Sequence, residues 1–129
     1  MKKILFLLAF LPMLFLACSS DDDNNKNPMC GTKWYNTQKR DLYDEMYKTT
    51  GTIVTLEFIT NSEVQCFIKK DDKVLFKEGS FKYDYEDGYV RIYWKNDYAD
   101  YSLYQVVGNK LEIKSSLGLL YWYGTFTKM

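Results

Sequence analysis

The chain of 129 residues contains no histidine. That absence removes Ser-His-Asp hydrolases, Cys-His proteases, His-ligated zinc sites and simple imidazole acid–base chemistry. It has no surplus of either charge: 17 basic residues face 17 acidic ones. A nucleic-acid binder would show a basic stripe, so no nucleic-acid partner is expected. No Cys-X-X-Cys pair occurs, which together with the missing histidine points away from a catalytic thiol. No spaced Asp-X-Asp-X-Asp-Gly run occurs, so no calcium loop is expected. No internal repeat is visible. Neither an enzyme, a metal nor a cofactor is expected. What is abundant is aromatic: 12 Tyr, 8 Phe and 3 Trp.

The apolar run from Ile4 to Ala17 follows Lys2 and Lys3 and is interrupted by Pro12. At 1.5 Å per residue it would reach about 21 Å as a helix, short of the roughly 30 Å hydrocarbon core. Residues 1–17 therefore read as a signal peptide and not as a span. The run ends Leu14-Phe15-Leu16-Ala17-Cys18, which resembles a bacterial lipobox. The resemblance implies cleavage before Cys18, a diacylglycerol thioether on its sulfur and acylation of the new amino group. One acyl chain attaches marginally and two or more hold firmly, so the membrane would be a lasting partner. The alternative is an ordinary secretory signal with an incidental cysteine.

Ser19-Ser20-Asp21-Asp22-Asp23-Asn24-Asn25-Lys26-Asn27-Pro28 offers no apolar residue to bury. Residues 18–28 are expected to be the acylated Cys and a disordered tether. Serine followed by three acidic residues also resembles the surface-export signal of Bacteroidota lipoproteins. That implies an outer-membrane location facing the cell exterior, the alternative being a periplasm-facing anchor. Losing Lys2 and Lys3 with the signal leaves a mature chain of net charge −2.

Residues 29–129 supply one modest core and not two. Turn signals recur at Asn61-Ser62, Asp71-Asp72, Asp87-Gly88, Asn96-Asp97, Gly108-Asn109 and Leu117-Gly118. Their spacing is that of an all-β sandwich or barrel, and no helical blocks separate the strands as βαβ units would require. Eight strands are expected, near residues 32–37, 52–60, 63–69, 73–85, 89–95, 98–107, 110–115 and 119–127. Val54, Leu56 and Phe58 share one face, as do Val64, Cys66 and Ile68, then Val90, Ile92 and Trp94, then Leu111 and Ile113. In the fourth strand Val74 and Phe76 are apolar at even positions, but Phe81, Tyr83 and Tyr85 at odd ones. A β-bulge at Gly79-Ser80 would restore a common face.

Asp41-Leu42-Tyr43-Asp44-Glu45-Met46-Tyr47 breaks the β pattern. Leu42/Met46 and Tyr43/Tyr47 stand at i,i+4, and Asp41 is an N-cap candidate, so a two-turn helix or an irregular loop is expected here. A helix of this length needs a face packed on the rest of the protein.

Gly31-Thr32-Lys33-Trp34, Leu56-Glu57-Phe58 before a short turn, Gly79-Ser80-Phe81-Lys82-Tyr83 and Tyr104-Gln105-Val106-Val107-Gly108-Asn109-Lys110-Leu111 follow one another in an order that resembles the lipocalin-like superfamily. More narrowly, the chain resembles the small lipocalin-like lipoproteins of Bacteroidota. The resemblance implies an antiparallel up-and-down meander of about eight strands forming a small barrel, with one short helix after the first strand. Two features differ from lipocalins: Gly31 and Trp34 have two residues between them where lipocalins have Gly-X-Trp, and no arginine follows Arg91. A barrel of this size is filled by its own side chains or holds one small ligand.

Candidate interior or mouth residues are Trp34, Phe58, Tyr83, Tyr85, Trp94, Tyr104 and Trp122, since Tyr and Trp pair an apolar face with a polar tip. Leu42 and Met46 are expected over the interior, as a lid or as plugs. Cys30 and Cys66 either form a disulfide or stay as buried thiols. Asp84, Glu86, Asp87, Asp97 and Asp100 flank turns, where Asp serves local hydrogen bonding. Two functions follow. One is a barrel that captures a small apolar or sugar-like ligand. The other is a filled-core structural lipoprotein that contacts another envelope protein.

Overall fold

The computed structural model describes residues 27–93, 100–116 and 123–129. Its elements in chain order are β1 (Lys33–Asn36), α1 (Arg40–Tyr47), β2 (Ile53–Phe58), β3 (Glu63–Lys70), β4 (Lys73–Glu86), β5 (Tyr89–Tyr93), β6 (Tyr101–Val107), β7 (Lys110–Ser116) and β8 (Phe126–Lys128). Each strand pairs antiparallel with the next, and β8 returns to β1, so the sheet closes into an eight-stranded barrel. Closure removes the open edges that a sheet of this length would expose. The protein is a small lipocalin-like β-barrel with one short helix after its first strand.

Alternation decides which side chains enter the barrel. Val54, Leu56, Phe58, Val64, Cys66, Ile68, Val90, Ile92, Tyr104 and Leu111 point inward and are buried. β2 is buried on its outer face as well. Thr55 lies between Tyr35 and Phe67 on the flanking strands, and Glu57 is ion-paired with Lys69 and with Lys33 at 4.0 Å. Lys69 and Lys77 in turn stand over the Phe67 ring, at 5.3 and 5.9 Å.

The kink in β4 is double. Its register with β3 shifts first at Glu78, one residue before the expected Gly79-Ser80, and again at Leu75. Each shift inserts one unpaired residue and reverses the facing of what precedes it. Phe76 therefore pairs with inward Ile68, whereas Val74 pairs with outward Lys69 and does not share its face. β8 is much shorter than the expected 119–127 among the described residues. Gly124 adopts φ 73°, and the Asn36 amide donates to the carbonyls of Tyr123 and, at 2.6 Å, Thr125. A side chain takes the place of a strand partner there.

The two ends of the barrel differ. At one end, residues 27–31 fold against the rim. The Gly31 amide donates to the Phe58 carbonyl at 2.8 Å, and Phe58 returns a bond to Thr32 at 3.0 Å. The Asn27 amide reaches the Asn61 carbonyl and the Tyr83 hydroxyl, both at 3.1 Å, and Met29 is buried in the core. Asn27, counted with the tether from sequence, is thus fastened to the domain. The Asp87-Gly88 turn at this end has positive φ at both residues (51° and 85°), as a two-residue hairpin needs. At the other end stand α1 and the Asp71-Asp72 turn. The expected turns at Asn96-Asp97 and Leu117-Gly118 lie outside the described residues.

α1 is a real helix, but Asp41 is not its cap. Lys39 occupies that position without a side-chain bond to the helix's first amides, and Asp41 sits in the first turn. Asp44 secures the exit instead: its carboxylate accepts from the Thr52 amide at 2.9 Å and the Gly51 amide at 3.1 Å.

Candidate functional site

The helix end holds the polar part of the interior. Tyr43 and Tyr47, one turn apart, form the face that α1 turns to the barrel; Tyr43 is buried and Tyr47 packs against the core. The Tyr43 and Tyr123 hydroxyls lie 2.8 Å apart, and the Tyr123 hydroxyl donates to Glu78 Oε1 at 3.1 Å. A hydroxyl has one proton to give, so Tyr43 is the donor to Tyr123. Beneath them the rings continue downward: Tyr123 to Phe126 at 6.5 Å and Phe126 to Tyr104 at 6.2 Å, both edge to face.

Glu78 owes its inward position to the first bulge of β4. Its charge is felt by the groups around it. Burial pushes the Cys66 thiol up, and the Glu78 carboxylate pushes it further. Burial also raises the Tyr123 phenol, reinforced by the Tyr43 bond, Cys66 and Glu78. Tyr43 is raised by burial, with its Tyr123 bond opposing and Glu78 adding. These groups stay neutral near pH 7, and the carboxylate makes no ion pair with any described lysine or arginine. Phe76 lies two residues from Glu78 on the inner side of the sheet, yet is 47% exposed. Its ring lies half-exposed near the start of β4, four residues past the Asp71-Asp72 turn.

The residues singled out from sequence fall into three groups. Trp34, Phe58, Tyr83 and Tyr104 are core. The Trp34 indole donates to Thr32 Oγ1 at 2.9 Å, and Phe58 packs edge to face on Tyr83 at 4.7 Å. The Tyr83 hydroxyl donates to the Thr60 carbonyl at 2.6 Å at the sealed end. Tyr85 is half-buried against the same core. Trp94 and Trp122 lie outside the described residues, as do Cys18 and Asp97.

Leu42 and Met46 are a correction. They are 38% and 58% exposed, so they neither cover nor plug the interior. The other i,i+4 pair, Tyr43 and Tyr47, does the packing, because phenol rings can bury their carbons while their hydroxyls find partners. The Cys30–Cys66 bridge is a second correction. Cys66 is a free buried thiol midway along β3 and forms no disulfide. Cys30 lies at the sealed end with its sulfur 3.6 Å from the Ile59 carbonyl oxygen, whereas Cys66 pairs with Leu56 and Gly79 in mid-barrel.

The acidic residues near the turns act locally. Asp84 accepts from Arg91 at 3.3 Å and from the Tyr93 hydroxyl, on the outer face. Two shallow grooves also lie on the described surface. One, of about 510 Å³, runs along the seam past Tyr35, Gln38, Ile113 and Thr125. The other, of about 360 Å³, is lined by Glu86, Tyr89, Arg91 and Leu103. Sequence reasoning missed Glu78 and Tyr123. Glu78 did carry a signal, since it continues the even phase of Val74 and Phe76. No known family model matches the chain, and no curated protein or solved structure matches it.

Proposed function

We propose that the protein is a lipid-anchored binding protein of the small lipocalin-like lipoprotein type of Bacteroidota, not an enzyme. Cys18 carries its acyl chains, and it stands on the outer membrane facing the cell exterior. Its ligand is a small apolar or sugar-like molecule taken at the helix end.

The observation that carries this reading is the contrast between the two ends. One is sealed by residues 27–31 and by a Tyr83 hydroxyl already bonded to Thr60. The other combines an accessible inward Phe76 with a carboxylate and two hydroxyls. Convergent polar groups beside an apolar surface are what small-molecule sites present. The residues expected to contact a ligand become Tyr43, Tyr47, Phe76, Glu78 and Tyr123.

A second reading is favoured by the dense packing below that level, where Trp34, Phe58, Tyr83 and Tyr104 fill the barrel. It makes the domain a filled-core spacer whose surface contacts another envelope protein. Titration of the mature domain with an environment-sensitive apolar dye separates the two. Micromolar binding that disappears in Phe76→Glu supports the ligand site. A native protein that binds no dye overturns it and leaves the spacer reading.

A further inference from the structure

We infer that the helix-end site is selective for a cationic amphiphile: a protonated amine, joined to an apolar body, whose ammonium pairs with Glu78. The inference rests on the binding reading above and names its ligand class. It starts from a charge without a counter-charge. Two other carboxylates of the barrel wall have cations: Glu57 has Lys69 and Lys33, and Asp84 has Arg91. Glu78 has none among the described residues. It accepts one hydrogen bond, from the neutral Tyr123 hydroxyl, and faces a buried thiol.

The surroundings select among ligand chemistries. The Tyr123 proton is already given to Glu78, and the Tyr43 proton to Tyr123. Both phenol protons are therefore committed within the cluster. An anionic head group would meet like charge with nothing to receive it. A neutral hydroxyl could bond to Glu78 but would leave its charge uncompensated. An ammonium supplies three donors and the missing charge, in a setting where a charge-assisted bond is stronger than in water. Tyr43, close enough to Glu78 to feel its charge, adds an aromatic ring suited to a cation. Phe76, half-exposed near the start of β4, gives the apolar body a surface to lie on.

The test uses the mature domain and three probes with one tail: n-octylammonium, n-octanol and octanoate. Binding is measured by calorimetry at neutral pH and low salt. Octylammonium is expected to bind about 10- to 100-fold more tightly than octanol, the range of a charge-assisted bond, with octanoate weakest. In Glu78→Gln, which keeps an oxygen for the Tyr123 hydroxyl, the advantage of the ammonium over octanol should fall below about 3-fold. Equal affinity for octylammonium and octanol, or a preference for octanoate, overturns the cation assignment and leaves the binding site standing. The ligand series decides this on the unaltered protein, whatever the fate of the variant. An ammonium preference that persists undiminished in a folded Glu78→Gln overturns the role of Glu78. If none of the three probes binds and the apolar dye also fails, the binding reading itself falls, and this inference with it.

Discussion

The Tyr43 hydroxyl on α1 meets the Tyr123 hydroxyl at 2.8 Å, although the two residues are 80 positions apart in the chain. This contact ties an eight-residue helix to the residues that lead into β8. A helix that short would not persist in water by itself. Replacing Tyr43 by Phe should leave Tyr123 without its donor and cost about 1–2 kcal/mol. Tyr123→Phe should cost at least as much, because it also strands Glu78. The double variant should cost less than the sum, as expected for groups in one network. Chemical denaturation of the four proteins measures this directly; strict additivity would show that the hydroxyls act independently.

Stability should divide α1 into two faces. Leu42→Ala and Met46→Ala remove exposed side chains and should each shift stability by no more than about 0.5 kcal/mol. Phe58→Ala removes a ring buried against Tyr83 and should cost about 3–5 kcal/mol. That is a large fraction of the roughly 5–15 kcal/mol holding a small domain together. Denaturation midpoints rank the three variants, and a Met46→Ala loss comparable to that of Phe58→Ala would put Met46 inside.

Alkaline pH should unfold the domain through its tyrosines. Burial raises the Tyr83, Tyr104 and Tyr123 phenols, and Tyr93, raised first by burial and then by Asp84, is pushed up to about 12. A raised folded-state value means the native state holds its proton longer than the unfolded state. The stabilisation is therefore complete below the unfolded value of about 10 and declines as pH rises from about 10 to 12 and beyond. Phenolate absorbance against pH should show part of its change appearing only together with loss of circular dichroism. A single smooth titration of all tyrosines in the folded protein would contradict the burial.

Cys66 should be silent in the folded state. Burial and the nearby Glu78 charge both disfavour its thiolate, the reactive form. A thiol-alkylating reagent should label Cys66 only in denaturant, read by peptide mass. Rapid labelling of the native protein would mean that the barrel opens widely at β3.

Anchoring at Cys18 makes a covalent prediction. The mature protein should carry a diacylglycerol thioether on Cys18, and Cys18→Ala should lose acyl labelling and membrane association. A thioether and a disulfide cannot share one sulfur. Mass analysis of the mature N-terminal peptide that found Cys18 disulfide-linked to Cys30, or unmodified acyl labelling in Cys18→Ala, would overturn the lipoprotein reading.

The barrel was legible in the sequence because its cause is local. Val54-Leu56-Phe58 and Val64-Cys66-Ile68 alternate strictly, and Asp-Asp and Asp-Gly pairs announce two-residue turns. Strand order needed little long-range information, since every pairing but one joins strands adjacent in sequence. The site was less legible for the opposite reason. Glu78 enters the barrel only because a bulge falls on it, and bulge positions depend on how β4 must curve. Tyr43 was seen at i,i+4 with Tyr47, but periodicity cannot decide between that stripe and Leu42/Met46 when both are apolar. What decided it was a hydroxyl partner on a distant segment. The capping role expected of Asp41 failed because the helix begins at Arg40, which puts Lys39 at the cap and Asp41 inside the first turn.

The closing seam has a consequence for how the chain reaches this state. Seven of the eight pairings join consecutive strands, and the remaining one brings Tyr35 to Thr127 and Trp34 to Lys128, more than ninety residues away. By loop-closure entropy, joining ends that far apart costs about 3 kcal/mol more than closing a four-residue hairpin. The seam also has the least to recover that cost, with two residue pairs to β1 and two to β7. Ring closure is then the last step of folding and the first of unfolding. In hydrogen exchange, the amides of Lys128 and Met129 should open well before those of β3.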